Sequence, residues 1–312
     1  MIGRFIREWV LPLAIVLGIS SYLIYHFTPA LSPIGPVCHV IASEGQRWVI
    51  ALLLFFQFVK VSPHDLRPCR WHLGAMLFQV GLFLALAALT FVVRSENGKI
   101  ILECALLCFI CPTASAAGVI TERLGGKISQ TVSYLVMINV VSTLLIPMVI
   151  PAIKPSESMG FWTYVGHIAL RVFPLLILPC LFAWLIRYTT HNLQRWLMRW
   201  SHNSFYIWGV GLTLAMVLST RALVLSRLGA GTIACIVAVS LLCCLVQFLV
   251  GRRLGASDTM TSRQALGQKN TGFLIWLGYT YLTPVTSVAG GLYAIWQNLF
   301  NSYELYKKER GA

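Results

Sequence analysis

Apolar segments of membrane-spanning length follow one another along nearly the whole chain, at 8–28, 45–62, 72–93, 99–123, 128–152, 161–187, 203–224, 230–250, 262–282 and 284–303. A bilayer core takes about 20 apolar residues of helix. Inside it only helices or closed barrels satisfy the backbone. The connecting loops reach only about 15 residues, which leaves no room for a soluble domain. The chain therefore reads as an all-α polytopic membrane protein, a single transmembrane domain over 1–312. A composition of 57% hydrophobic and 11% charged residues agrees.

The net charge of +14 would suit a nucleic-acid binder if it were gathered on one face. It is not. Counted from a cytoplasmic N-terminus, sixteen Lys and Arg fall on inner segments, among them Arg4, Arg7, Lys60, Arg123, Arg252, Arg263 and Lys308. Seven fall outside, from Arg47 to Arg227, and Lys269 completes the 24. The positive-inside rule then sets both termini in the cytoplasm, with ten spans through an inner membrane. Most of the charge is an orientation signal, and no nucleic-acid partner is expected. Met1–Arg7 followed by Trp9–Ile24 looks like a secretory signal, but without a small-residue cleavage site it reads as the first membrane helix. The nine cysteines include Cys108-Phe-Ile-Cys111 but no second pair, and the seven histidines form no ligand-spaced set. The cysteines read as small buried hydrophobes and the histidines as scattered, mostly near helix ends, with no metal site and no cofactor loop expected.

Lys269 is the single charge between Gln264 and Leu282. A lysine at mid-bilayer costs about 2.5–3.5 kcal/mol on insertion scales and normally faces a cavity or a partner. Gly267, Gln268, Asn270, Thr271 and Gly272 surround it, which suggests a helix that breaks there. A second interruption lies in span four, where Pro112-Thr-Ala-Ser-Ala-Ala-Gly118 divides an apolar run. Split five and five, at about 1–155 and 156–312, both breaks fall in span four of their half. Five is odd, so the halves have opposite topology. Interrupted helices at matching positions of inverted repeats point to the binding site of a secondary transporter.

With these residues in view the chain resembles the bile acid:sodium symporter family along nearly its whole length. The likeness rests on Cys111-Pro112 with Val119-Ile-Thr121, on Val141-Ser142-Thr143 with Pro147 and Pro151, and on Gly267-Gln-Lys-Asn270-Thr-Gly272. Phe55–Lys60, Gln79 and Ala294-Ile-Trp-Gln-Asn298 also fit. The resemblance implies ten helices in a panel and a core, with helices four and nine discontinuous and crossing, two sodium ions beside them, and an organic anion as substrate. Gln79 and Asn139 keep oxygen-bearing side chains where the family uses them near sodium. Other positions depart from it. Ala265 stands where the family has a glutamate, Lys269 where it has a glutamine, and Ala117-Gly118 where it has serine-asparagine. An ammonium 4–5 Å from a cation at an effective dielectric near 20 repels it by ~3–4 kcal/mol. The family's sodium sites are therefore expected to be lost.

Lys269 is then expected to stand in for the bound cation, to attract a carboxylate, or to release and regain a proton during the cycle, with Glu103 a candidate coupling carboxylate. Pro112, Thr113 and Ser115 complete the candidate site. A Ser-Lys enzyme built from Thr113, Ser115 and Lys269 is disfavoured because the proline break already explains those residues. Antiport on aspartates is disfavoured because Asp65 and Asp258 lie in loops. Trp162, Phe205, Trp208 and Trp276 are expected to face lipid or to pack. The expected function is sodium-independent transport of an organic anion such as a bile acid or a small carboxylate, by a chain for which a monomer is favoured. The alternatives are a receptor on the same fold that binds without transporting, and a sodium symporter with a rearranged ion site.

Overall fold

Long apolar runs bounded by glycine, proline and basic residues fold as helices wherever the backbone can bond only to itself. The computed structural model describes residues 2–310. Its helices are α1 (Ile2–Phe27), α2 (Gly35–Lys60), α3 (Arg70–Val92), α4 (Glu96–Ile110), α5 (Ala117–Arg123), α6 (Ile128–Ile153) and α7 (Phe161–Leu176). They continue as α8 (Leu178–Thr189), α9 (His191–Trp200), α10 (Ser204–Leu225), α11 (Ala230–Leu254), α12 (Thr259–Gly267), α13 (Thr271–Tyr281) and α14 (Ser287–Glu309). No strand occurs among the described residues. Six helical stretches are long and apolar enough to cross a membrane: Pro29–Lys60, Arg70–Val92, Ile128–Ile153, Phe161–Thr189, Tyr206–Leu225 and Ala230–Leu254. Pro12–Phe27 is apolar but shorter.

Large apolar side chains cover much of the outside, and several polar ones are buried. Leu77, Leu84, Phe91, Leu144, Leu170 and Leu242 are exposed, while Gln79, Asn139, Gln247, Gln264 and Lys269 are buried. An outer surface of this kind suits hydrocarbon, and polar residues turned inward are the membrane-protein pattern. Two packing groups share much of the interior, beside a third of Trp71, Ala75, Tyr134, Ile138, Ala265 and Leu266 on α3, α6 and α12. The larger is centred on α4, where Glu103 through Cys111 are all buried, with α11, α13 and α14 around it. The smaller joins Ala14, Ala42, Leu212 and Met216 of α1, α2 and α10 to Ile275 and Ala294 of α13 and α14.

Three features depart from the sequence reading. The segment expected as one span over 161–187 bends at Ile177, between Pro174 and Pro179. Pro179 lies in the first turn of α8, where its missing N–H costs nothing. The helix expected from residue 45 begins at Gly35. The loop after α8 contains α9, which puts Leu193, Trp196, Leu197 and Trp200 on one face and Arg195 and Arg199 on the other. A ten-residue helix with so few apolar positions has no signal in a search for apolar runs.

Small residues set the closest approaches. A Cβ at Gly267 would lie 2.5–2.6 Å from ring carbons of Phe248, and Phe248 packs at a tilt against Phe300 with ring centroids 4.1 Å apart. Gly267→Ala should therefore lower stability by about 1–3 kcal/mol through overpacking. Gly231→Ala in α11, where nothing lies within 4 Å, should stay within about 0.5 kcal/mol of the parent. Thermal unfolding of the two variants in one detergent checks this. Equal midpoints would show that α12 has room against α11.

Candidate functional site

Two helix ends meet at Lys269. α4 stops at Cys111 because the following Pro112 disfavours helical backbone in the residue before it and supplies no N–H. α12 stops at Gly267, and Asn270 opens α13 as its cap, Oδ1 accepting from the Phe273 N–H at 3.2 Å. The extended segments between these ends pair antiparallel across Thr113 and Lys269. The Ala114 N–H donates to the Gln268 carbonyl at 3.0 Å, and the Asn270 N–H to the Pro112 carbonyl at 2.9 Å.

Side chains bond much of the remaining backbone there. Gln297 accepts from the Lys269 N–H at 2.9 Å and donates to the Lys269 carbonyl at 3.3 Å. Thr113 Oγ1 donates to the Ala265 carbonyl at 2.7 Å, and Cys111 Sγ to the Asn270 carbonyl at 2.9 Å. Tyr293 donates to the Gly267 carbonyl at 2.8 Å, and Ser142 to the Ile110 carbonyl at 2.8 Å. Non-helical backbone buried from water is tolerated here because protein groups bond it.

The Lys269 side chain is 0% exposed. Its Nζ donates to Gln79 Oε1 of α3 at 2.7 Å. The same oxygen accepts from Tyr134 of α6 at 2.9 Å, and Gln79 Nε2 donates to the Cys111 carbonyl at 3.2 Å. The ammonium thus sits, through one amide, at the C-terminal end of α4, where the helix dipole is negative. Among the described residues no carboxylate pairs with it. Glu103 lies some two turns back along α4, buried, with its Oε2 accepting from the Thr283 N–H at 3.0 Å. Sequence grouped it with Lys269, whereas the structure sets it at the turn that precedes α14.

The other expected residues are dispersed around this point. Ser115, Asn270, Thr271 and Gly272 line a cleft of about 70 Å³, closed on its far side by Gln46 of α2 and by Trp208 and Gly211 of α10. Gln268, Lys269 and Gln297 line it too, while the lysine ammonium bonds to Gln79 of α3, a helix of which no described residue lines the cleft. Ala117 and Gly118 open α5 and pack toward α6, where a Cβ on Gly118 would meet Ile128 at 3.2 Å. Ala265 is fully buried at the α12–α6 contact. Gln268 turns along α12, donating to Gln264 Oε1 and, at 3.4 Å, to Asn301. Asn139 of α6 is buried, and neither its Oδ1 nor its Nδ2 has a partner among the described residues.

Tyr134, Gln297, Tyr293 and Gln264 were not foreseen. Tyr134, Tyr293 and Gln297 are polar side chains inside apolar runs, a signal as real as that of Lys269 and needing a partner for the same reason. Gln264 lies instead in the polar stretch Thr259–Gly267. Of the tryptophans, Trp276 is buried, Trp162 exposed and Trp208 in the cleft wall. Phe205's side chain lies outside the described residues. No family model matches the chain, and no curated protein matches it.

Removing one partner of a buried charge leaves the other unsolvated, whereas removing both does not. Gln79→Leu should cost roughly 3 kcal/mol, because it strands the ammonium. Lys269→Met should be neutral or stabilising, and the double variant should be more stable than Gln79→Leu alone. Thermal unfolding of all four forms checks the sign of the coupling. Strict additivity would mean that the two side chains do not depend on each other.

Proposed function

We propose that this chain is a secondary active transporter of an organic anion, built on the plan of the bile acid:sodium symporter family and independent of sodium. The observation that carries the reading is a fully buried lysine at two mutually paired helix interruptions. On this reading α4–α5 and α12–α13 are interrupted membrane helices that cross at Thr113 and Lys269. Together with α1, α2, α3, α6, α7–α8, α10, α11 and α14 they make ten spans. The interruptions then fall fourth in each of two inverted five-helix repeats, and both termini lie in the cytoplasm of a cell with this chain in its inner membrane.

The cleft between the interruptions and α2 with α10 is the proposed substrate site. Ser115, Asn270 and Thr271 offer it hydroxyl and amide groups, and the first turn of α13 borders it. A helix N-terminus favours an anion. Rocking of α2 and α10 against the interrupted helices would expose the cleft to each side in turn. Lys269 acts from behind. Its ammonium faces α3, so its role is that of a built-in cation that keeps the crossing point electrically balanced, rather than a direct contact for substrate. Three facts support independence from sodium: Ala265 supplies no carboxylate, Gln79 Oε1 already accepts from two donors, and one of those donors is cationic. The unpartnered amide of Asn139 favours the second reading, a symporter with a relocated ion site.

Uptake of labelled bile acid or small carboxylate into proteoliposomes should be unchanged when sodium is replaced by potassium. Steep dependence on sodium would select the second reading, and binding without uptake would select a receptor. Lys269→Ala should reduce uptake to the level of empty liposomes without loss of folded protein. Ala265→Glu with Lys269→Gln should make what uptake remains respond to sodium. Transport by Lys269→Ala at the parent rate, with the same pH profile, would leave the lysine a structural role only.

Topology is open to a separate check. In a background with the exposed Cys38 and Cys235 replaced, cysteines near Lys308 should resist an impermeant label applied to intact cells. Cysteines in the 154–160 loop should react. The opposite pattern would invert the proposed orientation.

A further inference from the structure

At the end of the molecule where α12 begins and α14 finishes, a cavity of about 350 Å³ opens among Arg252, Thr259, Met260, Arg263, Glu304 and Lys307. Lys308 lines it too, so four cationic side chains face one carboxylate. Two of the four are committed. Arg263 pairs with Glu304, and Lys308 Nζ donates to the Arg123 carbonyl at 2.6 Å. Arg252 and Lys307 are exposed and have no ion pair among the described residues. Arg263 keeps a further donor, its Nε, which is buried without a partner.

The backbone adds to this field. α12 starts at Thr259 on the cavity wall, and its capping residue Asp258 makes no side-chain bond to the first turn. That carboxylate is turned to Lys127, 2.7 Å from its Nζ. The positive end of α12 therefore reaches the cavity without a side-chain cap. Like charges gathered in a concavity repel one another and raise the local concentration of any anion. Guanidinium groups match the fork of oxygens on a phosphate. At about 30 Å³ per water the cavity has room for roughly ten waters, enough for a phosphate and part of its hydration.

We propose that this cavity is a binding site for a phosphate oxyanion, held by Arg252, Lys307 and Arg263 Nε at the first turn of α12. Both a free anion and the headgroup of an acidic phospholipid carry that chemistry. The site is separate from the cleft and does not rest on the transport reading. It is nevertheless joined to the crossing point. Glu304 accepts from Gln264 Nε2 at 2.6 Å, and Gln264 accepts from Gln268, the residue before Lys269. An oxyanion that competes with Glu304 for Arg263 acts on the end of this chain.

The test uses the full chain, purified in neutral detergent, with inorganic pyrophosphate as probe and acetate as control. Pyrophosphate should raise the unfolding temperature and acetate should not. Arg252→Ala and Lys307→Ala should each weaken pyrophosphate binding roughly tenfold, as expected for the loss of a charged hydrogen bond. Arg252→Lys should recover part of the loss. Both residues are exposed, so the variants should unfold at the parent temperature when no ligand is present. A second arm uses nanodiscs of phosphatidylcholine with rising phosphatidylglycerol. If a headgroup is the occupant, phosphatidylglycerol abolishes the pyrophosphate response, and native mass spectrometry finds more of this lipid retained by the parent than by the double variant. If a free anion is the occupant, the response persists in these discs. The proposal is overturned if the parent binds neither probe, or if the double variant binds both as tightly as the parent.

Discussion

The structure turns on a backbone problem. An interrupted helix out of water leaves N–H and C=O groups that no solvent will satisfy, each costing up to several kcal/mol in hydrocarbon. Here the extended segments that follow α4 and α12 pair with each other. Pro112, which has no donor, contributes only its carbonyl, and Asn270 supplies the N–H that meets it. Thr113, Cys111, Tyr293 and Gln297 bond four further carbonyls at the breaks. Each break supplies bonding partners to the other, so residues 111–116 and 268–270 form one structural unit although more than 150 residues separate them.

The same unit makes a buried lysine tolerable. Out of water an ammonium is strongly disfavoured unless hydrogen bonds and nearby dipoles replace its hydration. Gln79 provides the bond, and it is itself fixed by Tyr134 and by the Cys111 carbonyl, so the acceptor is already oriented when the lysine meets it. α4 and α12 both end here, which directs two negative helix ends at one region. The positive ends, where α5 and α13 start, lie on the other side of each break. One arrangement therefore offers a place for a fixed cation and, beside the cleft, a place that favours an anion.

Much of this was legible in the chain, and what was not shares a cause. Lys269 and Pro112 mark the breaks because each violates the rule of its surroundings, a charge among apolar residues and an imino acid within a helix. Gln79 was reached through a resemblance and occupies the lysine's side of the site. Glu103 was grouped with the lysine on charge alone, yet one residue along α4 turns a side chain by about 100°, and eight residues carry it about 12 Å away. Tyr134 and Gln297 could not be assigned because their partners lie on other helices, and no pattern local to α6 or α14 encodes that meeting. The bend at Ile177 and the helix α9 were missed for a different reason. A search for apolar length cannot see a break that stays apolar, nor a helix that lies outside the apolar runs.

A tethered cation differs from a bound one in what it does to energy coupling. Two sodium ions entering with a monovalent anion carry net positive charge inward, so the membrane potential assists by about 2.3 kcal/mol per 100 mV for each net charge. If Lys269 takes the place of a bound cation, it stays in the protein and brings no ion across. On the transport reading, an anion that crosses alone then moves against the same potential at the same cost per charge. Uptake would run only down a steep substrate gradient, by exchange for another anion, or with a proton that restores neutrality. Replacing one glutamate by Ala265 and one glutamine by Lys269 would thus change more than ion preference. It would remove the driving force that the resemblance implies, and leave to the carrier only the gradients of substrate and proton.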